Sequence, residues 1–137
     1  DRTRDIVFNW DVFLDFNGET GPYMQYAHVR ACSILKKTKL PTKADYSLLK
    51  ESSEIELIKH LNEFQEIILK SANEYKPHIL AKYLYELAKK FNDFYEKVPI
   101  LKAEKNLKDS RLILVFSVKQ VLKNGLNLLG IDTPEEM

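Results

Sequence analysis

Apolar residues in this chain of 137 residues recur every three or four positions over long runs, and glycine or proline parts one run from the next. That spacing lays a stripe along one face of an α-helix; a strand, whose side chains alternate sides, would need a period of two. Five helical stretches follow, with no convincing strand pair. Residues 5–16 carry Ile6, Val7, Trp10, Phe13 and Leu14 and stop at Asn17-Gly18. A second stretch runs from Pro22 to about Lys37, with Tyr26, Val29, Ile34 and Leu35 available for packing. Residues 36–52 are polar and read as a surface loop with a short turn near 46–49. Ser53, with Glu56 three residues on, has the pattern of a capping box. It opens a third stretch through Leu57, Ile58, Leu61, Phe64, Ile68 and Ala72. Lys76-Pro77 breaks that helix, and Pro77 starts a fourth, from Leu80 to Tyr95, whose wide apolar face suits a central position. The fifth covers 107–129 and stops at Gly130, and the tail from 131 to 137 reads as an N-capped single turn. The fold expected is all-α, a helical bundle of about five helices.

Composition narrows the function more than the fold. With 45% apolar and 30% charged residues the chain is an ordinary globular one, and its length suits one domain. No apolar run approaches the roughly 18 residues that cross a bilayer, and no signal peptide opens the chain, which begins at Asp1 and reads as a piece of something longer. The single Cys32 has no disulfide partner and no metal ligands spaced around it, so it reads as helix packing in a reducing compartment. The expectation is a monomeric module in the cytoplasm. Templates for chemistry return nothing. His28, His60 and His78 are isolated, with His60 expected on an exposed helix face and His78 at a helix start. Glu54 with Glu56, and Glu63 with Glu66, read as solvated surface pairs. There is no glycine-rich phosphate loop, nucleophile elbow or zinc pattern, hence no catalytic residue and no metal ligand to name. The chain reads as a binding module.

Its binding chemistry concentrates between residues 17 and 44. A loop carrying Gly18 and Gly21 meets Pro22, and the helix that follows presents Tyr23, Tyr26 and Arg30 at spacings of three and four, on one face. Aromatic rings stack on unpaired bases, and a guanidinium forks onto phosphate oxygens. The net charge of +1 gives no global signature of a nucleic-acid partner. Locally, however, residues 20–44 hold no acid against Arg30, Lys36, Lys37, Lys39 and Lys43. Tyr83, Tyr85 and Tyr95 sit on the fourth helix. Two readings stay open for the tyrosines: they stack on bases, or they line the interface between two helices. A rival for the whole chain is a protein-interaction bundle without RNA binding, its Tyr and Phe stripes forming a groove for a partner helix.

Four blocks carry a family resemblance over nearly the whole chain. Thr20-Gly-Pro-Tyr-Met-Gln-Tyr-Ala-His-Val-Arg30 resembles the start of the C-terminal domain of arginyl-tRNA synthetases. Asp5-Ile-Val-Phe-Asn-Trp-Asp11 is similar to the segment leaving their catalytic domain. The stretch from Pro77 to Ala88, with Phe91-Asn92 and Phe94-Tyr95, resembles their central helix, and 121–137 their last helix and terminal methionine. The resemblance implies a DALR-type anticodon-binding domain over 19–137, with 1–18 ending the catalytic domain as a linker helix. It implies arginine tRNA as partner through its anticodon loop, with the central cytosine read in a pocket, and the catalytic domain as partner in cis. ATP with Mg and arginine would belong to that catalytic domain, with no cofactor in this fragment and no catalysis by it alone. Carried over by motif, Tyr23, Arg30, Tyr95 and Met137 would contact the anticodon, Tyr26 and Asn92 being second-tier candidates with Tyr26 also readable as core. Lys36, Lys37 and Lys39 would track phosphates. Phe116-Ser-Val-Lys-Gln120 departs from the Ala-Thr-Arg-Gln of many relatives, so Lys119 receives no role.

Overall fold

The computed structural model describes Asp5, residues 7–13 and residues 18–137. Among these, the chain forms α1 (Trp10–Phe13), α2 (Gly21–Lys36), α3 (Ser52–Asn62), α4 (Phe64–Asn73), α5 (Pro77–Lys97) and α6 (Lys105–Leu128), with a 3₁₀ turn at Tyr46–Leu48 between α2 and α3. No strand occurs among the described residues, and none of their helices is long and apolar enough to cross a membrane.

The wide apolar face of α5 does what its width requires: it packs against α2, α3, α4 and α6. Leu84, Leu87, Ala88, Phe91 and Phe94 are fully buried there. Burial of each large side chain among them contributes about 1.5–3 kcal/mol. The approach of α6 to α5 depends on Gly125, because a methyl group at that position would run into the buried side chain of Leu84. At the head of α2, Thr20 Oγ1 accepts from the Tyr23 N–H at 3.4 Å while Pro22 occupies the first turn, so a free backbone donor is capped where proline lacks one.

Several expectations are corrected. The predicted helix over 5–16 has no regular structure from Val7 to Asn9 and, among the described residues, is helical only at α1; residues 6 and 14–16 lie outside the described residues. Its stripe is not core there, for Val7 is 92% exposed and Phe8 and Trp10 are exposed too. The predicted third helix is two, α3 and α4, parted at Glu63. At the break the His60 carbonyl accepts both the Glu63 N–H at 3.2 Å and the Tyr83 hydroxyl, from α5, at 2.8 Å. The cap of α3 is Glu51, not Ser53: the Glu54 carboxylate reaches back to accept from the Glu51 N–H at 2.9 Å. His60 is not on an exposed face, since its side chain is 12% exposed and its ring lies parallel to that of Tyr83 with centroids 4.3 Å apart. Nor does the tail form a helical turn; residues 131–137 are irregular.

Glu54 is no surface carboxylate either. It is fully buried and accepts from Arg111 Nε at 2.6 Å, while Arg111 Nη1 donates to the Pro99 carbonyl at 3.1 Å. This pair pins α3, α6 and the turn after α5 together. Arg111→Ala should cost about 3–5 kcal/mol in urea unfolding, because it strands a buried charge. Replacing both partners with apolar residues of similar volume should recover most of the loss. Equal destabilisation by the single and the double change would contradict this.

Candidate functional site

Because α2 lies beside α5, one edge of each helix meets the other at the surface. Tyr23, Tyr26 and Arg30 line the α2 edge; Tyr85, Asn92 and Tyr95 line the α5 edge. The Arg30 guanidinium sits between two rings, its central carbon 4.9 Å from the centroid of Tyr26 and 4.8 Å from that of Tyr95. Its Nη1 donates to Asn92 Oδ1 at 2.7 Å, and Asn92 Nδ2 donates to the Tyr23 hydroxyl oxygen at 2.9 Å. The Tyr23 ring in turn packs on Tyr85 at 5.4 Å. Five of the residues singled out from the sequence are therefore one contiguous cluster. It is wet: Tyr26 is 46% and Tyr95 43% exposed, which sets aside the reading of Tyr26 as core. A cavity of about 440 Å³ adjoins Tyr23 and Asn92, lined by both signs of charge from Glu56, Glu86, Lys89, Lys90, Asp93 and Glu96.

Lysine placement differs among the three candidates. Lys37 and Lys39 are exposed, and Lys37, seven residues past Arg30, continues the α2 edge. Lys36 instead pairs with Glu136 at 2.6 Å. That hydrogen bond holds the ammonium above its ordinary pKa and the carboxyl below its own.

The tail forms a second interface, on the other flank of α2. Gln25 Nε2 donates to the Asp132 carbonyl at 2.7 Å, His28 Nδ1 lies 2.9 Å from the Pro134 carbonyl, and Lys119 meets Glu135 at 3.6 Å. Met137 ends this strap, 63% exposed, and among the described residues no hydrogen bond or ion pair joins it to the cluster. His28 is the anchor that sequence reasoning missed, and one signal for it existed. Gln25, His28, Cys32 and Lys36 recur at spacings of three and four, a second stripe apart from the tyrosine one. Cys32 is buried beneath the strap, with its Sγ 3.8 Å from the His28 ring, and burial pushes the thiol pKa up. Among the described residues no group of histidine, cysteine or carboxylate side chains could hold a metal ion.

Comparison with known proteins finds relatives along nearly the whole chain. A family model described as the DALR anticodon binding domain matches residues 24–137. The chain is 45% identical over 138 residues to an arginine–tRNA ligase of Halothermothrix orenii, covering 99% of this chain and 24% of that one. It is 46% identical over 142 residues to the ligase of Thermococcus kodakarensis, covering 96% and 22%. The solved arginyl-tRNA synthetase of Thermus thermophilus superimposes with a TM-score of 0.92 at 41% identity, over 98% of this chain and 24% of that one. The chain thus spans about a quarter of the length of these relatives.

Burial under the tail depresses the His28 pKa below 6.5, and the nearby Lys119 and Lys123 lower it further, against the Pro134 bond and Glu135. The unfolded chain then takes up this proton first. Stability attributable to His28 is full above pH about 6.5 and falls as pH drops toward its folded value, with a slope of at most about 1.4 kcal/mol per pH unit. Urea midpoints should fall between pH 7.5 and 5.5, and less steeply in His28→Gln. Parallel pH profiles for the two proteins would show that His28 is not the group responsible.

Proposed function

The chain belongs to the DALR anticodon-binding domain family, and from that premise we propose that it grips the anticodon loop of an arginine tRNA for a class I arginine–tRNA ligase. Residues 19–137 would be the anticodon module and residues 1–18 the end of the catalytic domain, working in cis. Support for that boundary comes from Val7, Phe8 and Trp10, exposed apolar residues of the kind a packed neighbour would cover. The ligase would join arginine to its tRNA with ATP and Mg, as a monomer in the cytoplasm.

One observation carries the reading: a permanently charged guanidinium held between two half-exposed aromatic rings, with directed hydrogen bonds behind it. Such a face suits bases turned out of a hairpin. Tyr95 and Tyr26 offer stacking platforms, Arg30 a fork for a base edge or phosphate, and Tyr23 a hydroxyl for a base edge. Lys37 and Lys39 would track the backbone, and Met137 would approach the same loop from the tail. Lys36 would serve only once Glu136 lets it go. A groove for a partner helix is less well supported, because the rings are already engaged with a charge rather than lining a dry cleft.

Stacking on an aromatic ring is worth about 1–3 kcal/mol per base, so Tyr95→Ala should weaken binding of the arginine-tRNA anticodon stem-loop by about 5- to 150-fold, whatever the base. Lys37→Ala and Lys39→Ala should each lower the salt-dependence slope by about 0.7. Deleting Met137 should impair arginylation by the full-length ligase while leaving helicity intact. Wild-type affinity and slope in all of these variants would refute the site.

A further inference from the structure

We propose that the carboxyl-terminal tail stands in for RNA: Glu136 and Glu135 occupy a phosphate site formed by Lys36 of α2 and Lys119 of α6, and the backbone of the bound tRNA displaces them. The proposal rests on the anticodon reading above. It extends that reading to a site on the strap side of α2 and to the device that keeps the site covered.

Acids are missing where these lysines stand. Residues 20–44 contain none, so any carboxylate paired along α2 comes from elsewhere in the chain. The tail supplies it. Glu136 Oε1 lies 2.6 Å from Lys36 Nζ, and Glu135 Oε1 lies 3.6 Å from Lys119 Nζ. The two lysines face one place, for both act on the Cys32 thiol beneath the strap. Lys123 of α6 adds its charge beside His28 and forms no ion pair among the described residues. Cations from two helices thus meet a strap that carries fewer acids than they could bind.

The strap is held in two ways, and only one of them is lasting. Ile131 is half-buried, and Gln25 and the fully buried His28 bond to the backbone carbonyls of Asp132 and Pro134. The charged contacts are the exposed ones, with 48% of the Lys36 side chain and 85% of the Glu136 side chain open to water. An exposed ion pair shifts an equilibrium by no more than about fivefold, and a phosphate can replace it. Lys36 is also where the strap comes nearest the lysines proposed for RNA, because it ends α2 and Lys37 caps that helix. A strand that tracks Lys37 and Lys39 reaches Lys36 next and finds a carboxylate where its own phosphate would sit. Displacing the tail handicaps every anion alike, so the site opens to RNA that the rings around Arg30 also grip.

Glu136→Gln in the full-length ligase tests this, since the amide keeps the shape and loses the charge. At low salt the variant should bind the arginine-tRNA anticodon stem-loop about 2- to 5-fold more tightly than wild type, a gain that fades at high salt. Glu66→Gln removes the same charge from the exposed surface of α4 and should leave affinity unchanged. In a Lys36→Ala background, Glu136→Gln should gain nothing. Stem-loops carrying a neutral methylphosphonate at successive loop positions should lose the gain at one of them, which identifies the displacing phosphate as RNA's own. The proposal fails if Glu136→Gln gains no more than Glu66→Gln, if the gain survives without Lys36, or if every substituted loop keeps it. Should the wild type bind no stem-loop at all, the anticodon reading itself is wrong and this proposal falls with it.

Discussion

The side-by-side docking of α2 and α5 is the constraint from which the rest follows. It exists because the apolar face of α5 is too wide for one partner, so α2, α3, α4 and α6 all pack around it. Phe91 and Phe94 point into that core, and on a helix this obliges Asn92 and Tyr95, each one residue further on, to point aside. On α2, burying Ala27, Ala31 and Ile34 likewise turns Tyr23, Tyr26 and Arg30 toward the α5 edge. The cluster is the polar remainder of a hydrophobic arrangement. Its position is set by core packing, and its own contacts refine it.

Such a division explains what could be read from the chain. Periodicity of three and four gave the helices, because one face of each is buried and the pattern records burial. Spacing also gave Tyr23, Tyr26 and Arg30 as neighbours, since one helix carries all three. That Asn92 and Tyr95 stand opposite them was carried only by resemblance, for no pattern within one helix states which edge of another it faces. The errors are of the same kind. Glu54 looked like a solvated carboxylate because its partner, Arg111, lies 57 residues away. The break at Glu63 falls where the His60 carbonyl takes a bond from Tyr83 of another helix, a contact that local sequence does not record. His28 looked isolated because what it bonds is a backbone carbonyl of the tail, and a carbonyl has no signature in sequence.

Cluster and strap sit on opposite flanks of α2, and they differ in how charge is handled. On the tail side two cations have acidic partners, Lys36 with Glu136 and Lys119 with Glu135. On the cluster side, among the described residues, Arg30 pairs with no carboxylate; its partners are two rings and a neutral amide. A carboxylate would neutralise the guanidinium and repel phosphate, whereas rings and an amide hold it in place and leave its charge in force. The same helix is therefore glued to its own chain on one flank and keeps an unpaired guanidinium charge among rings and an amide on the other.

Holding Arg30 still is worth more than the contacts themselves suggest. An exposed cation–π contact contributes only about 0.5–1 kcal/mol, too little to matter for a fold with this core. Freezing a free arginine on binding, however, costs a comparable or larger amount, because the side chain carries about 2 kcal/mol of rotamer entropy. When the fold has already met that cost, a ligand gains the full value of each hydrogen bond it makes. Rigidity also sharpens rejection. A mobile arginine could turn aside from a mismatched edge and regain water, but one clamped between Tyr26 and Tyr95 and tied to Asn92 cannot, so the mismatch bears the whole loss of hydration.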